Sequence, residues 1–194
     1  MLNHIRPAVV MIALFTGVLG VEYPFAVTGV AQTVFSERAD GSLVRDKAGK
    51  VVGSALVGQT FAEPVYLHPR PSAAGDGYDA AASSGSNLGP LNPDLIARVK
   101  TEADALRAET GAAVIPADAV TTSASGLDPH ISPAYAELQV ARIASARGVG
   151  EAQVREVIRE HEEGRTFGVL GQPRVNVLLT NMALDARFPR PMEG

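Results

Sequence analysis

Asp128 and His130 stand two positions apart, with Ser123, Ser125 and Ser132 close by in sequence. These are the residue types of a nucleophilic relay, in which a carboxylate orients an imidazole and the imidazole deprotonates a serine. The same types also build turns, because Asp and Ser oxygens accept hydrogen bonds from nearby backbone N–H groups. No Gly-x-Ser-x-Gly elbow is present to display a nucleophile, which favours the turn reading. The relay on Ser125/Asp128/His130, in an exported or membrane-anchored serine hydrolase, stays as the alternative.

Other chemistry is thinly supported. The four histidines, His4, His68, His130 and His161, show no paired ligand spacing, so no metal site is expected. Residues 84–89, with Ser86 and Asn87 between glycines, resemble a phosphate cradle but lack the Walker lysine and the full Gly-x-Gly-x-x-Gly spacing. A Ser/Asn/Gly loop fixing its own turns is the adopted reading. With 0 cysteines there are no thiolate metal sites, cysteine nucleophiles or disulfides. A formal net charge of -4 excludes the basic face that nucleic-acid binding needs.

These residues must be held by a modest set of elements. A charged turn between residues 41–44 and 50–53 predicts a hairpin, and residues 54–59 continue with strand-like character. Residues 63–93 form one long irregular stretch, and Tyr66, Leu67, Tyr78 and Leu88 give it apolar surface to bury, so an ordered loop is expected. Asn92 caps a helix with Pro93 at its first position and Gly111 closing it. Residues 114–120 read as extended chain, and residues 121–133 as a second structured loop. Ser132 caps a helix from Pro133 to Gly148. A third helix runs from about Glu151 to Glu163, with Val154, Val157 and Ile158 as its stripe and Gly164 as its stop. Residues 175–185 carry both strand and helix periodicity; a helix is the adopted reading. Asn87, Asp128 and Asn176 are expected to be at least partly buried and hydrogen-bonded to backbone.

The N-terminal segment is of another kind. Residues 7–21 carry no charge, and apolar character resumes after Glu22-Tyr23-Pro24. Residues 7–34 make about 40 Å of helix, more than the ~30 Å hydrocarbon core of a bilayer requires. A signal peptide cleaved near residue 31 is the rival reading. Pro24 removes a backbone donor, so a kink over residues 20–24 is expected. Glu22 belongs at an interface, against another helix or at a wet cavity. Counting flanking Lys and Arg places the C-terminal domain weakly in the cytoplasm.

Several short motifs follow one another in order. They are residues 53–59 ending at Gln59, Arg70-Pro71-Ser72-Ala73, residues 85–90, residues 120–133 around Asp128 and His130, Gln139 with Arg142, Asn176 between two valines, and Asn181 to Asp185. Together with the Tyr23-Pro24 step, this set resembles the KdpC subunit family of the Kdp potassium-transporting ATPase over nearly the whole chain. The resemblance implies an α+β architecture: an N-terminal transmembrane helix with its flanks (residues 1–35) and one mixed α+β extracytoplasmic domain with long ordered loops (residues 36–194). It implies an accessory, non-catalytic subunit of a high-affinity, ATP-driven potassium importer. Such a subunit supports assembly and acts as a catalytic chaperone promoting ATP binding by the P-type ATPase subunit. The implied partners are that ATPase subunit, a channel-like potassium-binding subunit and membrane lipid, without nucleic acid. ATP and potassium are handled by the complex, and no cofactor is firmly bound. The implied location is the inner membrane, single-pass, with the N-terminus cytoplasmic, against the charge count. The motif residues that become candidate structural or interface positions are Glu22, Tyr23, Pro24, Gln59, Arg70, Ser86, Asn87, Asp128, His130, Gln139, Asn176 and Asn181. The chain departs from the family pattern at Glu22, where an apolar or small residue is usual.

Overall fold

The computed structural model describes residues 2–189. They divide into two compact units, one ending at Ser54 and the other beginning at Ala55. The first is a helical rod followed by a hairpin. Helix α1 (Leu2–Phe15) and helix α2 (Tyr23–Val34) are joined without a break by a π-helical segment, Thr16–Glu22. Pro24 supplies no N–H and its ring crowds the preceding turn, so the α ladder cannot run through unchanged. The backbone widens by one residue instead, and Tyr23 N–H reaches Val18 O, five residues back. The irregularity expected around residues 20–24 thus takes the form of a π turn on the N-terminal side of the proline.

Over His4–Val34 the rod is long and apolar enough to cross a membrane, and none of it is buried. A one-turn helix α3 (Ser36–Ala39) leads to β1 (Leu43–Arg45) and β2 (Val51–Ser54), which pair antiparallel. Asp46 makes their turn by accepting from the N–H groups of Ala48 and Lys50, each at 2.9 Å. Of residues 54–59 only Ser54 belongs to the hairpin: the chain turns at Ala55, and Gly58 N–H donates to Leu127 O at 2.8 Å.

The second unit builds its core from five helices and a small sheet. Helix α4 (Pro93–Thr110) is capped by Asn92, whose side chain accepts from Asp94 N–H, and ends at Gly111 in the left-handed region. Ser132 caps the next helix by accepting from Tyr135 N–H, but the helix expected from Pro133 to Gly148 is two, α5 (Pro133–Leu138) and α6 (Val140–Arg147), separated at Gln139. Helix α7 (Glu151–Glu160) buries Val154, Val157 and Ile158 as its stripe requires. It stops at His161 rather than Gly164, since Glu162–Glu163 leave the helix to form strand β4. The ambiguous segment contains both periodicities in succession: strand β5 (Arg174–Asn176), then helix α8 (Val177–Arg187) capped by Asn176. Strand β3 (His130–Ile131) completes a three-stranded antiparallel sheet in the order β3-β5-β4. Residues 114–120 are not extended; a 3₁₀ turn, Ala117–Ala119, follows Pro116.

Among the described residues the largest fully buried side chains are Leu67, Ile143, Val140, Val154, Val157, Val175 and Leu184, with Thr180 and Asn181 among them. Leu67 comes from the long loop, so that loop is part of the core. Its close packing against the second loop is written into Gly126. This residue has φ +68°, and an added Cβ would lie 2.6 Å from Ser84 O and 2.7 Å from Ala74 N. Gly89 has open space around it and no left-handed φ. Gly126→Ala is therefore expected to cost about 1–3 kcal/mol, and Gly89→Ala less than about 0.5 kcal/mol. Thermal unfolding of the detergent-purified chain checks both.

Candidate functional site

The two structured loops have almost no regular structure, so their backbone polar groups need side-chain partners. Three buried amides supply them. Asn181, on α8 and 1% exposed, accepts from Leu67 N–H at 2.7 Å and donates from Nδ2 to Leu67 O at 2.9 Å. Gln139, between α5 and α6, does the same for the next residue: it accepts from His68 N–H at 2.8 Å and donates to His68 O at 3.1 Å. Each amide replaces one rung of a strand ladder. Asn176 donates to Ala55 O at 2.9 Å and accepts from Leu179 N–H at 3.1 Å, which also caps α8.

Two arginines extend the clamp. Arg142 donates to Pro64 O at 2.8 Å and Tyr66 O at 3.0 Å, and is bonded to Gln139 Oε1. The Arg147 side chain is fully buried. It donates to Val65 O, Phe188 O and Asp185 Oδ1 and lies over the Tyr66 ring, while Tyr66 OH donates to Asp185 Oδ2. The carbonyls of residues 64–68 and the N–H groups of Leu67 and His68 are thus held by side chains from Gln139, α6 and α8.

The second cluster joins the two loops to each other. Arg70 donates to Thr121 O, Thr122 O and, at 3.0 Å, Asp128 Oδ2. Ser72 Oγ donates to Gly126 O at 2.6 Å and accepts from Ala74 and Tyr78 N–H, and Tyr78 OH donates to Arg70 O. Asp128 accepts from His130 N–H at 3.0 Å. Arg70, Asp128, His130, Ser132 and Arg174 line an open cleft of about 500 Å³.

Burial raises the Asp128 pKa, but hydrogen bonds from the His130 ring and backbone and from Arg70 outweigh it and hold the carboxyl below its usual range. His68 is held below its ordinary value of 6.5, by burial first and by the Arg142 charge second. Burial pushes the Tyr135 hydroxyl up to about 12.

The structure does not assemble the relay considered as the alternative. His130 Nδ1 faces Asp128 at 3.5 Å, but Nε2 faces Glu163 Oε1 at 4.0 Å where a serine would have to stand. Ser125 Oγ instead accepts from Leu127 N–H at 3.1 Å and lies 3.4 Å from Ser123 Oγ, so it shapes the turn.

The candidate residues therefore sort into three groups. Gln139, Asn176 and Asn181 form the clamp, while Arg70, Asp128 and His130 meet at the cleft. Glu22, Tyr23 and Pro24 are exposed on the rod. Gln59 and Ser86 are half-buried. Asn87 corrects an expectation: it is exposed, with φ +52°, and its residue type suits the left-handed backbone rather than a buried bond. Arg147 is the clamp residue that motif reading passes over. Its signal is position, since with Val140, Ile143 and Ala144 it completes the apolar stripe of α6, where an arginine must find buried partners.

The family model described as K+-transporting ATPase, c chain, matches residues 5–186. The chain belongs to the KdpC family. It is 65% identical over 189 residues to the potassium-transporting ATPase KdpC subunit of Caulobacter sp. (strain K31), covering 97% of this chain and 96% of that one. The KdpC subunit of Beijerinckia indica is 59% identical over 191 residues, at 97% and 96% coverage. That of Koribacter versatilis is 49% identical over 191 residues, at 98% of both chains. Membership accounts for the ordered motifs, and the geometry shows that most of those motifs in the second unit are loop-holding residues.

Asn181→Asp removes the donor to Leu67 O and buries a carboxylate; a loss of about 3 kcal/mol or more is expected in chemical denaturation. A pH dependence also follows. His68 and Asp128 both have depressed folded values, so each contributes stability that is present above its unfolded value and lost as pH falls through the folded one. Stability should hold from pH 8 to 7, decline below the ordinary His value of 6.5, and decline again below the ordinary Asp value of 3.8. In His68→Gln the first decline should disappear while the second remains.

Proposed function

We propose that this KdpC-family chain works as the accessory subunit of a potassium-importing ATPase, carrying no bond-making chemistry of its own. Its task in this reading is to hold the assembly together and to promote ATP binding by the P-type ATPase subunit, as a catalytic chaperone. The observation that carries the proposal is the match of family and relatives across nearly the whole chain, membrane-spanning segment included. The clamp is in keeping with it. A subunit that acts by docking needs loops of fixed shape, because ordering them at the moment of binding would subtract from affinity.

The proposed partners are the P-type ATPase subunit, a channel-like potassium-binding subunit and the surrounding lipid. The proposed topology is single-pass, with the N-terminus cytoplasmic and the second unit outside. On that topology the second unit cannot touch cytoplasmic ATP, so its effect on nucleotide affinity travels through packing between subunits. The rod offers a suitable element, since the π turn and Glu22 distinguish one stretch of an otherwise plain apolar helix.

Co-expression with the ATPase and potassium-binding subunits is expected to give a complex that co-purifies through a tag on this chain; a chain recovered alone would contradict the assembly reading. Topology is checked separately. With 0 native cysteines, Ala48→Cys in the exposed hairpin turn makes a single reporter. Labelling of intact cells by a membrane-impermeant thiol reagent is expected; labelling only after permeabilisation would reverse the orientation.

A further inference from the structure

No register of the rod in a bilayer leaves Glu22 at an interface. Between residues 7 and 35 Glu22 is the only charged residue, with His4 and Arg6 before them and Glu37, Arg38 and Asp40 after. A hydrocarbon core of ~30 Å takes about 20 helical residues. Every window of about 20 residues within 7–35 contains Glu22, at least about 6 Å of helix from either edge. Sliding the rod until Glu22 reaches an edge draws His4 and Arg6, or Glu37, Arg38 and Asp40, into the hydrocarbon instead. Helical side chains lean toward the N-terminus, so the carboxylate lies back over the π turn rather than reaching for the C-terminal edge.

The π turn adds a second acceptor at the same depth. Leu19 O would be bonded by Tyr23 N–H in an α ladder and by residue 24 in a π ladder. Tyr23 N–H is given to Val18 O, and Pro24 has no N–H, so Leu19 O receives neither. A carboxylate and a peptide carbonyl thus stand within one turn of each other. Gly17 and Gly20 put no side chain over them, and residues 7–35 hold no Lys, Arg or His to pair with Glu22.

We infer that a lysine or arginine side chain from a neighbouring transmembrane helix of the pump seats on Glu22 and Leu19 O; this rests on the assembly reading above. The sign of the charge and the two acceptors select the occupant. A cationic side chain matches the carboxylate and has donors to spare for the carbonyl. Charged lipid headgroups stay outside the hydrocarbon and cannot reach this depth. A second copy of this chain, packed parallel, would bring another carboxylate to the same level, where like charges repel strongly in a low dielectric. Water in a cavity would complete the hydrogen bonds and leave the charge unmatched.

The test compares Glu22→Leu and Glu22→Gln with the unsubstituted chain in co-expressed complexes pulled down through a tag on this chain. Leucine suits lipid better than glutamate does, so a lipid-facing position would tolerate it. Partner recovery after a stringent detergent wash is expected to fall about ten-fold or more with both substitutions, since each leaves a cation in the membrane without its counter-charge. A p-benzoylphenylalanine at Val18, one turn before Glu22, is expected to crosslink to a partner transmembrane segment containing a lysine or arginine, identified by mass spectrometry. Unchanged recovery with Glu22→Leu would overturn the inference, as would loss with Glu22→Leu but full recovery with Glu22→Gln, which marks a neutral donor. Adducts only to lipid, to a second copy of this chain or to a segment without a basic residue would overturn it as well. All of these leave the assembly reading intact. Failure of the unsubstituted chain to co-purify with any pump subunit would sink the assembly reading itself, and the inference with it.

Discussion

A buried peptide group without a hydrogen-bond partner costs roughly 1–3 kcal/mol, and the second unit of this protein is organised around avoiding that cost. Its loops run through the core without strands to pair them. Asn181 and Gln139 pair with consecutive residues, Leu67 and His68, at both N–H and C=O. Asn176 donates to the Ala55 carbonyl alone, and Arg142 and Arg147 take carbonyls between residues 64 and 66. Leu67 is wholly buried only because its backbone is satisfied this way.

The cluster at the cleft obeys the same constraint on a wetter surface. Arg70 is spread over two carbonyls and one carboxylate, so its charge is matched and its donors are used. Asp128 in turn organises His130. The groups that could have formed a hydrolytic relay are consumed in holding two loops together. The polar residues of both loops are thus spent on shape.

Much of this was legible in the chain. Caps at Asn92 and Ser132, the α7 stripe and the ordered nature of residues 63–93 follow from local rules that tertiary contacts did not override. The Asp128 and serine turns also follow from residue type. Other features have no local signal. Gln139 breaks a continuous helical pattern because its side chain is required at His68, a contact 71 residues away in sequence. Glu162 and Glu163 leave a helical run to pair with β5, which only the sheet can dictate. All of the clamp but Arg147 was visible as motif residues, but their pairing with backbone was not, since the partners are peptide groups that carry no side-chain signature. Asn87 shows the converse, a motif residue whose type reports backbone conformation alone.

Native-state amide hydrogen exchange on the purified chain tests the clamp most directly. If the buried amides act as strand rungs, Leu67 and His68 N–H exchange as slowly as core amides of α6 and α8, through global opening. Exchange of these two amides at the rate of solvent-exposed loops, while the helices remain protected, would contradict the account.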